Sequence, residues 1–373
     1  MDAVKFQIDI QRAAISRRDQ IDFDHLPFGK YVSDHMLVAE CVRGEWRNIE
    51  IRPYGPFELM PSTSALHYGQ AIFEGMKAYR APDGSPLLFR PEANWERINR
   101  SARRMCMPEI PYDLFLEGIR QLISLDRDWV PEQEGSSLYI RPFMIATDAY
   151  TGIRISDTYK FIVYTSPVGK YYSNPVKLRA TANYVRAFPG GTGEAKSAGN
   201  YAGALLATKE AKSAGYDNVL WLDGIQKRYI EEVGTMNVMF IIDGVAITPE
   251  LGGTILRGTT RTAVIQLLRE HDIEVVERRI GIDELWQAHS EGRLQEAFGL
   301  GTAATVAPIS VIGHDGSLPE FDSPGGTLME SDPKITLPGD PMDPNKIGMR
   351  ILRHLTNIRT GKEADRFGWT VRV

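Results

Sequence analysis

Gly190-Gly191-Thr192-Gly193-Glu194-Ala195-Lys196-Ser197-Ala198-Gly199-Asn200-Tyr201 is the stretch on which the fold turns. Read as Gly190-x-x-x-x-Ala195-Lys196-Ser197, it stands one residue away from the P-loop of a nucleotide triphosphatase. That reading needs glycine at 195, where the backbone must wrap a phosphate, and a strand just before the loop. Ala195 occupies the glycine position, and Ala187-Phe188-Pro189 makes a poor central strand because proline cannot donate to a ladder. In the other reading, four glycines and two alanines clear space around Lys196. A lysine nucleophile must be partly desolvated to be neutral near pH 7, and small neighbours let a flat cofactor approach the backbone. A surface lysine in a glycine loop is the plain alternative.

Composition narrows the field of partners. The chain has 373 residues, 43% of them hydrophobic and 24% charged, enough for about two domains with a large core. A net charge of -5 and a pI near 5.9 leave no basic footprint for nucleic acid or an anionic membrane, so small molecules are the expected partners. No apolar run reaches the length of a membrane span, and Asp9, Arg12, Arg17 and Arg18 stand where a signal core would be. Cys41 and Cys106 are far apart in sequence, which supports neither a disulfide framework nor a cysteine-based zinc site. A protein of the reducing cytoplasm, without a metal, is expected.

Along the chain, strand-like and helix-like segments alternate. Met36 to Val42, Pro86 to Phe89, Leu138 to Ala146 and Lys160 to Thr165 read as strands. Pro91 to Arg104 reads as a helix with proline in its first turn, and Phe115, Ile119, Leu122 and Ile123 recur at helical spacing. The turn-rich run from Ser166 to Pro175 marks a domain boundary. Beyond it, Tyr201 to Ala214 reads as a helix ended by Gly215, Val219 to Leu222 and Val238 to Ile242 as strands, and Thr260 to Glu270 as a helix. The chain therefore reads as α+β, with a smaller N-terminal domain over 1–168, a linker over 169–178 and a larger domain over 179–373. Gly313 to Asn345, dense in Gly, Pro, Asp and Ser, reads as a surface insertion or flap.

Ser64-Ala65-Leu66-His67-Tyr68-Gly69-Gln70-Ala71-Ile72-Phe73-Glu74-Gly75-Met76-Lys77-Ala78-Tyr79, followed by Leu88-Phe89-Arg90-Pro91, resembles the N-terminal motif of branched-chain amino acid aminotransferases. Ser137-Leu138-Tyr139-Ile140-Arg141-Pro142, the Lys196 run, Glu232-Val233-Gly234-Thr235-Met236-Asn237 and Gly299-Leu300-Gly301-Thr302-Ala303 match that family's landmarks in its order. The resemblance implies a two-domain enzyme of fold type IV, a homodimer with pyridoxal 5'-phosphate at the domain interface. It implies reversible ping-pong transfer of the amino group of Leu, Ile or Val to 2-oxoglutarate, giving branched 2-oxo acids and L-glutamate.

The same resemblance assigns the residues. Lys196 matches the Schiff-base lysine, whose amine also moves the substrate α-proton. Glu232 matches the carboxylate that pairs with the pyridine nitrogen, and strand alternation would send the neighbouring Glu231 to the opposite face. Arg90 matches the phosphate-binding arginine. Gly258, Thr259 and Thr260 open a helix whose N–H groups favour an anion, although Arg257 stands where the family usually has proline. Thr302 and Ala303 match a second turn offered to phosphate and substrate carboxylate, Tyr201 the tyrosine beside the phenolic oxygen, and Thr235 a further cofactor contact. Phe28, Tyr68, Phe73, Tyr139 and Tyr171 match the aromatic lining for branched side chains, with Arg141 for the distal carboxylate of glutamate. Tyr150-Thr151-Gly152-Ile153 resembles a loop that closes the pocket of a partner subunit.

Rivals of the same fold, D-amino acid transamination or aminodeoxychorismate cleavage, share the lysine and the ring carboxylate. The aromatic-plus-Arg141 pocket and the long N-terminal match favour the branched-chain group, and intact Lys196, Glu232 and Arg141 argue against a non-catalytic vitamin B6 carrier. Ala304 and Ala307 fill the positions of a regulatory C-x-x-C pair in animal relatives, and Met105-Cys106-Met107 reads as inert packing around a thiol.

Overall fold

The computed structural model describes residues 6–171, 173–317 and 334–373. The chain forms two compact units, one of Met1–Tyr171, Ala195–Gly199 and Thr356–Val373, the other of Tyr172–Glu194 and Asn200–Leu355.

The first unit is built on a mostly antiparallel sheet. Its spatial order is Asp9–Ile10, Glu45–Pro53, His35–Val42, Thr158–Val168, Ser137–Ala146, Met76–Arg80, Pro86–Phe89 and Thr370–Arg372, with Ala71–Phe73 paired to Ser137–Ala146. Two helices, Pro91–Arg104 and Tyr112–Leu125, complete its core. The second bears Phe115, Ile119, Leu122 and Ile123, all fully buried, as the helical spacing requires. The first has Pro91 at its start, where a missing N–H costs no intrahelical bond.

The second unit carries its own sheet in the order Ile230–Val233, Asn218–Leu222, Val176–Thr181, Thr305–His314, Leu294–Gly301, Asn237–Ile242, Val245–Thr248 and Val275–Glu277. Strand Asn237–Ile242 is buried throughout, in keeping with its unbroken apolar run. Helices Thr259–Glu270 and Ile282–Ser290 contribute apolar faces, the second of them to the core of this unit.

Four details differ from the sequence reading. Residues 195–199 and 356–373 lie with the first unit, tied by the pairing of Ser197 with Ile72 and of Thr370–Arg372 with Pro86–Phe89. The expected helix from Tyr201 to Ala214 is two helices, Ala198–Ala202 and Leu205–Ser213, because the chain breaks at Gly203 and Ala204. The expected linker 169–178 holds Tyr172, outside the described residues, and its last three residues open the strand Val176–Thr181. Residues 318–333 of the expected flap also lie outside them, while Ile335–Thr336 pairs with Thr305–His314. Among the described residues no helix is long and apolar enough to cross a membrane.

Candidate active site

In the first unit the backbone of Lys196 is clamped from two sides. Its N–H donates to Ser101 Oγ at 2.9 Å, and its carbonyl accepts the Phe73 N–H at 3.0 Å. Its Nζ lies 4.7 Å from the centroid of the Phe73 ring. Next to Phe73, Glu74 is fully buried and takes a forked pair from Arg97, Nε to Oε1 at 2.6 Å and an Nη to Oε2 at 2.7 Å, with Asn94 Nδ2 donating at 2.9 Å. Burial alone would raise this carboxyl, but the Arg97 charge and hydrogen bonds, with help from Lys196 and Asn94, hold it below the ordinary value. Asn94, Arg97 and Ser101 fall at i, i+3 and i+7 of helix Pro91–Arg104, so one polar helix face fixes both Glu74 and the lysine loop.

Tyr139 and Arg141 are two apart on strand Ser137–Ala146 and so share a face. The Arg141 guanidinium lies 4.9 Å from the Phe73 ring centroid and 5.2 Å from that of Tyr139, and an Nη donates to the Tyr139 hydroxyl at 3.0 Å. Phe28 meets Tyr139 and Tyr171 edge-on, each at 5.0 Å between centroids. Lys196, Phe73, Arg141, Tyr139, Phe28 and Tyr171 thus form one continuous chain of contacts. Gly75 makes room for it, since a Cβ there would stand 2.1 Å from the Tyr139 hydroxyl. The Tyr68 hydroxyl donates to the Thr151 carbonyl and ties helix Ser64–Tyr68 to the loop 150–153.

Arg90 caps helix Pro91–Arg104 with a left-handed backbone, φ 50° and ψ 49°, uncommon for a residue with a Cβ. Its N–H donates to the Trp369 carbonyl at 2.6 Å and its guanidinium lies 5.6 Å from the Trp369 ring centroid.

In the second unit, Glu232 is 4% exposed and Glu231 6% exposed. The expected alternation fails here. Trp221 pairs with Glu232 and Leu222 with Ile230, so Glu231 is the extra residue of a β-bulge, and both carboxylates turn toward the segment Thr254–Leu256. Leu256 N–H donates to Glu232 Oε1 at 2.8 Å, and Asn237 Nδ2 donates to the Leu256 carbonyl at 2.9 Å. Gly258 then caps helix Thr259–Glu270. A Cβ at 258 would stand 2.0 Å from Asn237 Oδ1, so only glycine lets this helix start so close to the strand carrying Asn237. Thr302 and Ala303 lie in the turn between strands Leu294–Gly301 and Thr305–His314. Thr235 is exposed in the turn after Ile230–Val233, and Tyr201 sits on helix Ala198–Ala202.

Residues 71–312 match the family described as amino-transferase class IV. Branched-chain-amino-acid transaminase 1 of Bacillus subtilis (strain 168) is 46% identical over 361 residues, covering 95% of this chain and 96% of that protein. The branched-chain amino acid aminotransferase of Escherichia coli superposes with a TM-score of 0.69 at 25% identity, covering 91% of this chain and 98% of that one. The T.th. branched-chain amino acid aminotransferase, complexed with N-(5'-phosphopyridoxyl)-L-glutamate, gives 0.67 at 25% identity over 89% of this chain and 97% of that one.

The chain belongs to the class IV branched-chain aminotransferases.

Enzymes of this class work with pyridoxal 5'-phosphate. Each unit of this branched-chain aminotransferase carries groups of the kind that cofactor needs: the first an amine at Lys196 and a guanidinium at Arg90, the second a buried carboxylate at Glu232 and a helix N-terminus cleared by Gly258. Asn94, Arg97 and Ser101, which brace Glu74 and the Lys196 segment, lie outside the motifs that carry the resemblance. The polar spacing of Asn94, Arg97 and Ser101 beside the apolar Ile98 and Ala102 is the signal that marks them. Cys106 is also placed differently from the expectation. It is exposed, at a position just past the helix end where the chain turns left-handed (φ 52°).

Proposed function

We propose that this branched-chain aminotransferase passes the amino group of Leu, Ile or Val to 2-oxoglutarate, returning branched 2-oxo acids and L-glutamate. The Arg141 cation set among Phe73, Tyr139, Phe28 and Tyr171 carries the reading. Rings accept a branched aliphatic side chain through apolar contact, and the guanidinium offers the distal carboxylate of glutamate a charge-assisted pair. One pocket then serves both halves of the exchange.

Pyridoxal 5'-phosphate supplies an aldehyde for amine exchange and a ring that takes up electrons when a substrate Cα–H bond breaks. Lys196 Nζ would tether it and would move the proton at the substrate α-carbon. Glu232 would hold a proton at the ring nitrogen, and Tyr201 would offer its hydroxyl to the phenolic oxygen. Arg90, the N–H groups from Gly258 to Thr260, Thr235 and Thr302 bind the phosphate end, and Thr302 with Ala303 receives the substrate α-carboxylate. Phe28, Tyr68, Phe73, Tyr139, Arg141 and Tyr171 bind the side chain.

The reading includes a cytoplasmic homodimer. Met60, Leu66, Tyr150, Ile153 and Ile155, all exposed, support a covered face, because Thr63 pairs with Ala149 and brings the two segments together. Turnover of leucine with 2-oxoglutarate, set against D-alanine and against aminodeoxychorismate, tests the substrate class. Leucine should be preferred by orders of magnitude, and turnover of either rival at a comparable rate would move the enzyme to another branch of the fold.

A further inference from the structure

Around Glu232 lies a buried group that the transamination reading does not use. The bulge at Glu231 sends two neighbouring carboxylates to one side of the strand. Thr254 Oγ1 donates to Glu231 Oε1 at 2.5 Å, while Leu256 N–H, two residues on, donates to Glu232 Oε1 at 2.8 Å. Arg186, its side chain 8% exposed, reaches the same group. Its Nε is 3.4 Å from Glu232 Oε2, an ion-pair distance without hydrogen-bond geometry. Its two Nη atoms donate instead to backbone carbonyls, one to Gly193 at 3.4 Å and the other to Thr254. Gly193 permits this approach, since a Cβ there would stand 2.3 Å from the Thr254 carbonyl oxygen.

We propose that Arg186 and Glu231 are positioning residues for Glu232: Arg186 sets the Oε2 side, and Glu231, through Thr254, holds the segment whose Leu256 N–H sets Oε1. The inference rests on the reading of Glu232 as the partner of the cofactor's ring nitrogen. With one oxygen facing a fixed cation and the other accepting a backbone N–H, the carboxylate has a single orientation. The forked guanidinium spans two carbonyls and a carboxylate at once, which a lysine ammonium on a flexible stem does not reproduce. Charge balance points the same way. Arg186 lies at ion-pair distance from Glu232, while burial raises the Glu231 carboxyl above its ordinary value against the Thr254 hydrogen bond and the nearby Arg186 charge.

The test compares equilibrium affinity for pyridoxal 5'-phosphate with that for its 1-deaza analogue, in which CH replaces the ring nitrogen. Cofactor-depleted protein is titrated and followed by visible absorbance. Glu232→Gln calibrates the measurement and should weaken the natural cofactor while leaving the analogue nearly unchanged. Arg186→Lys should follow the same pattern, with a loss on the order of tenfold for the natural cofactor only. Glu231→Ala should show a similar selective loss, and Glu231→Gln, which keeps an acceptor for Thr254, should restore the wild-type values. If Glu232→Gln is selective but Arg186→Lys and Glu231→Ala weaken both compounds equally, or neither, the positioning role is wrong. If Glu232→Gln is itself unselective, the reading of Glu232 falls, and this inference with it.

Discussion

The peptide N–H of Lys196 donates to Ser101 Oγ at 2.9 Å, so the lysine is held by its backbone and its amine carries no part of that tie. Lys196→Ala should therefore abolish transamination by orders of magnitude while the thermal midpoint moves little. Ser101→Ala should do the reverse, leaving the amine in place but a part-buried N–H without its acceptor, at a cost of about 1–2 kcal/mol in stability. Urea unfolding and leucine turnover on the two variants check the pair. Substantial turnover by Lys196→Ala, with no added amine, would remove the lysine from its role.

Burial, reinforced by the Arg359 guanidinium, pushes the Lys77 ammonium down to about 7. An unfolded lysine titrates near ~10.4, so between these values the unfolded chain binds a proton that the folded chain does not. Stability from this group is complete above the unfolded value and is lost as pH falls toward 7, with no further loss below. Lys77→Met should flatten the pH dependence between neutral and alkaline pH and raise stability at pH 7 by a few kcal/mol. Urea midpoints at both ends of that window measure it, and an unchanged slope in the variant would contradict it.

Local chemistry was legible in the sequence and long-range geometry was not. Helix Pro91–Arg104 ends where its flanking prolines put it, because a helix start tolerates proline and a helix interior does not. Motif order drew attention to Lys196, the lysine proposed as catalytic, and to the aromatic residues that gather near it. The alternation argument at Glu231 failed because a bulge depends on the partner strand, with Leu222 and Trp221 taking Ile230 and Glu232. Arg97 meets Glu74 across twenty-three residues of chain, and no local pattern names such a partner.

Cys106 is exposed and Cys41 buried, so a thiol reagent should label the first and spare the second. Burial raises the Cys41 thiol, which lowers its thiolate content further. Activity should nevertheless stay level through peroxide and then dithiol treatment, since Ala304 and Ala307 offer no sulfur near the Thr302 turn. Mass spectrometry of labelled protein beside a leucine assay tests both statements. A large loss of turnover that a dithiol reverses would make Cys106 a switch.

The dual-substrate pocket is tested most directly by Arg141→Met in single-turnover half-reactions, with the cofactor spectrum recorded after mixing with leucine or with glutamate. The guanidinium meets only the distal carboxylate in the proposed arrangement, so the glutamate half-reaction should lose on the order of 1.5–3 kcal/mol of transition-state stabilisation, roughly 10- to 150-fold in rate. The leucine half-reaction should change by only a few fold. Equal losses in both half-reactions would show that Arg141 serves the fold or the shared α-carboxylate, and the pocket would need another cation for glutamate.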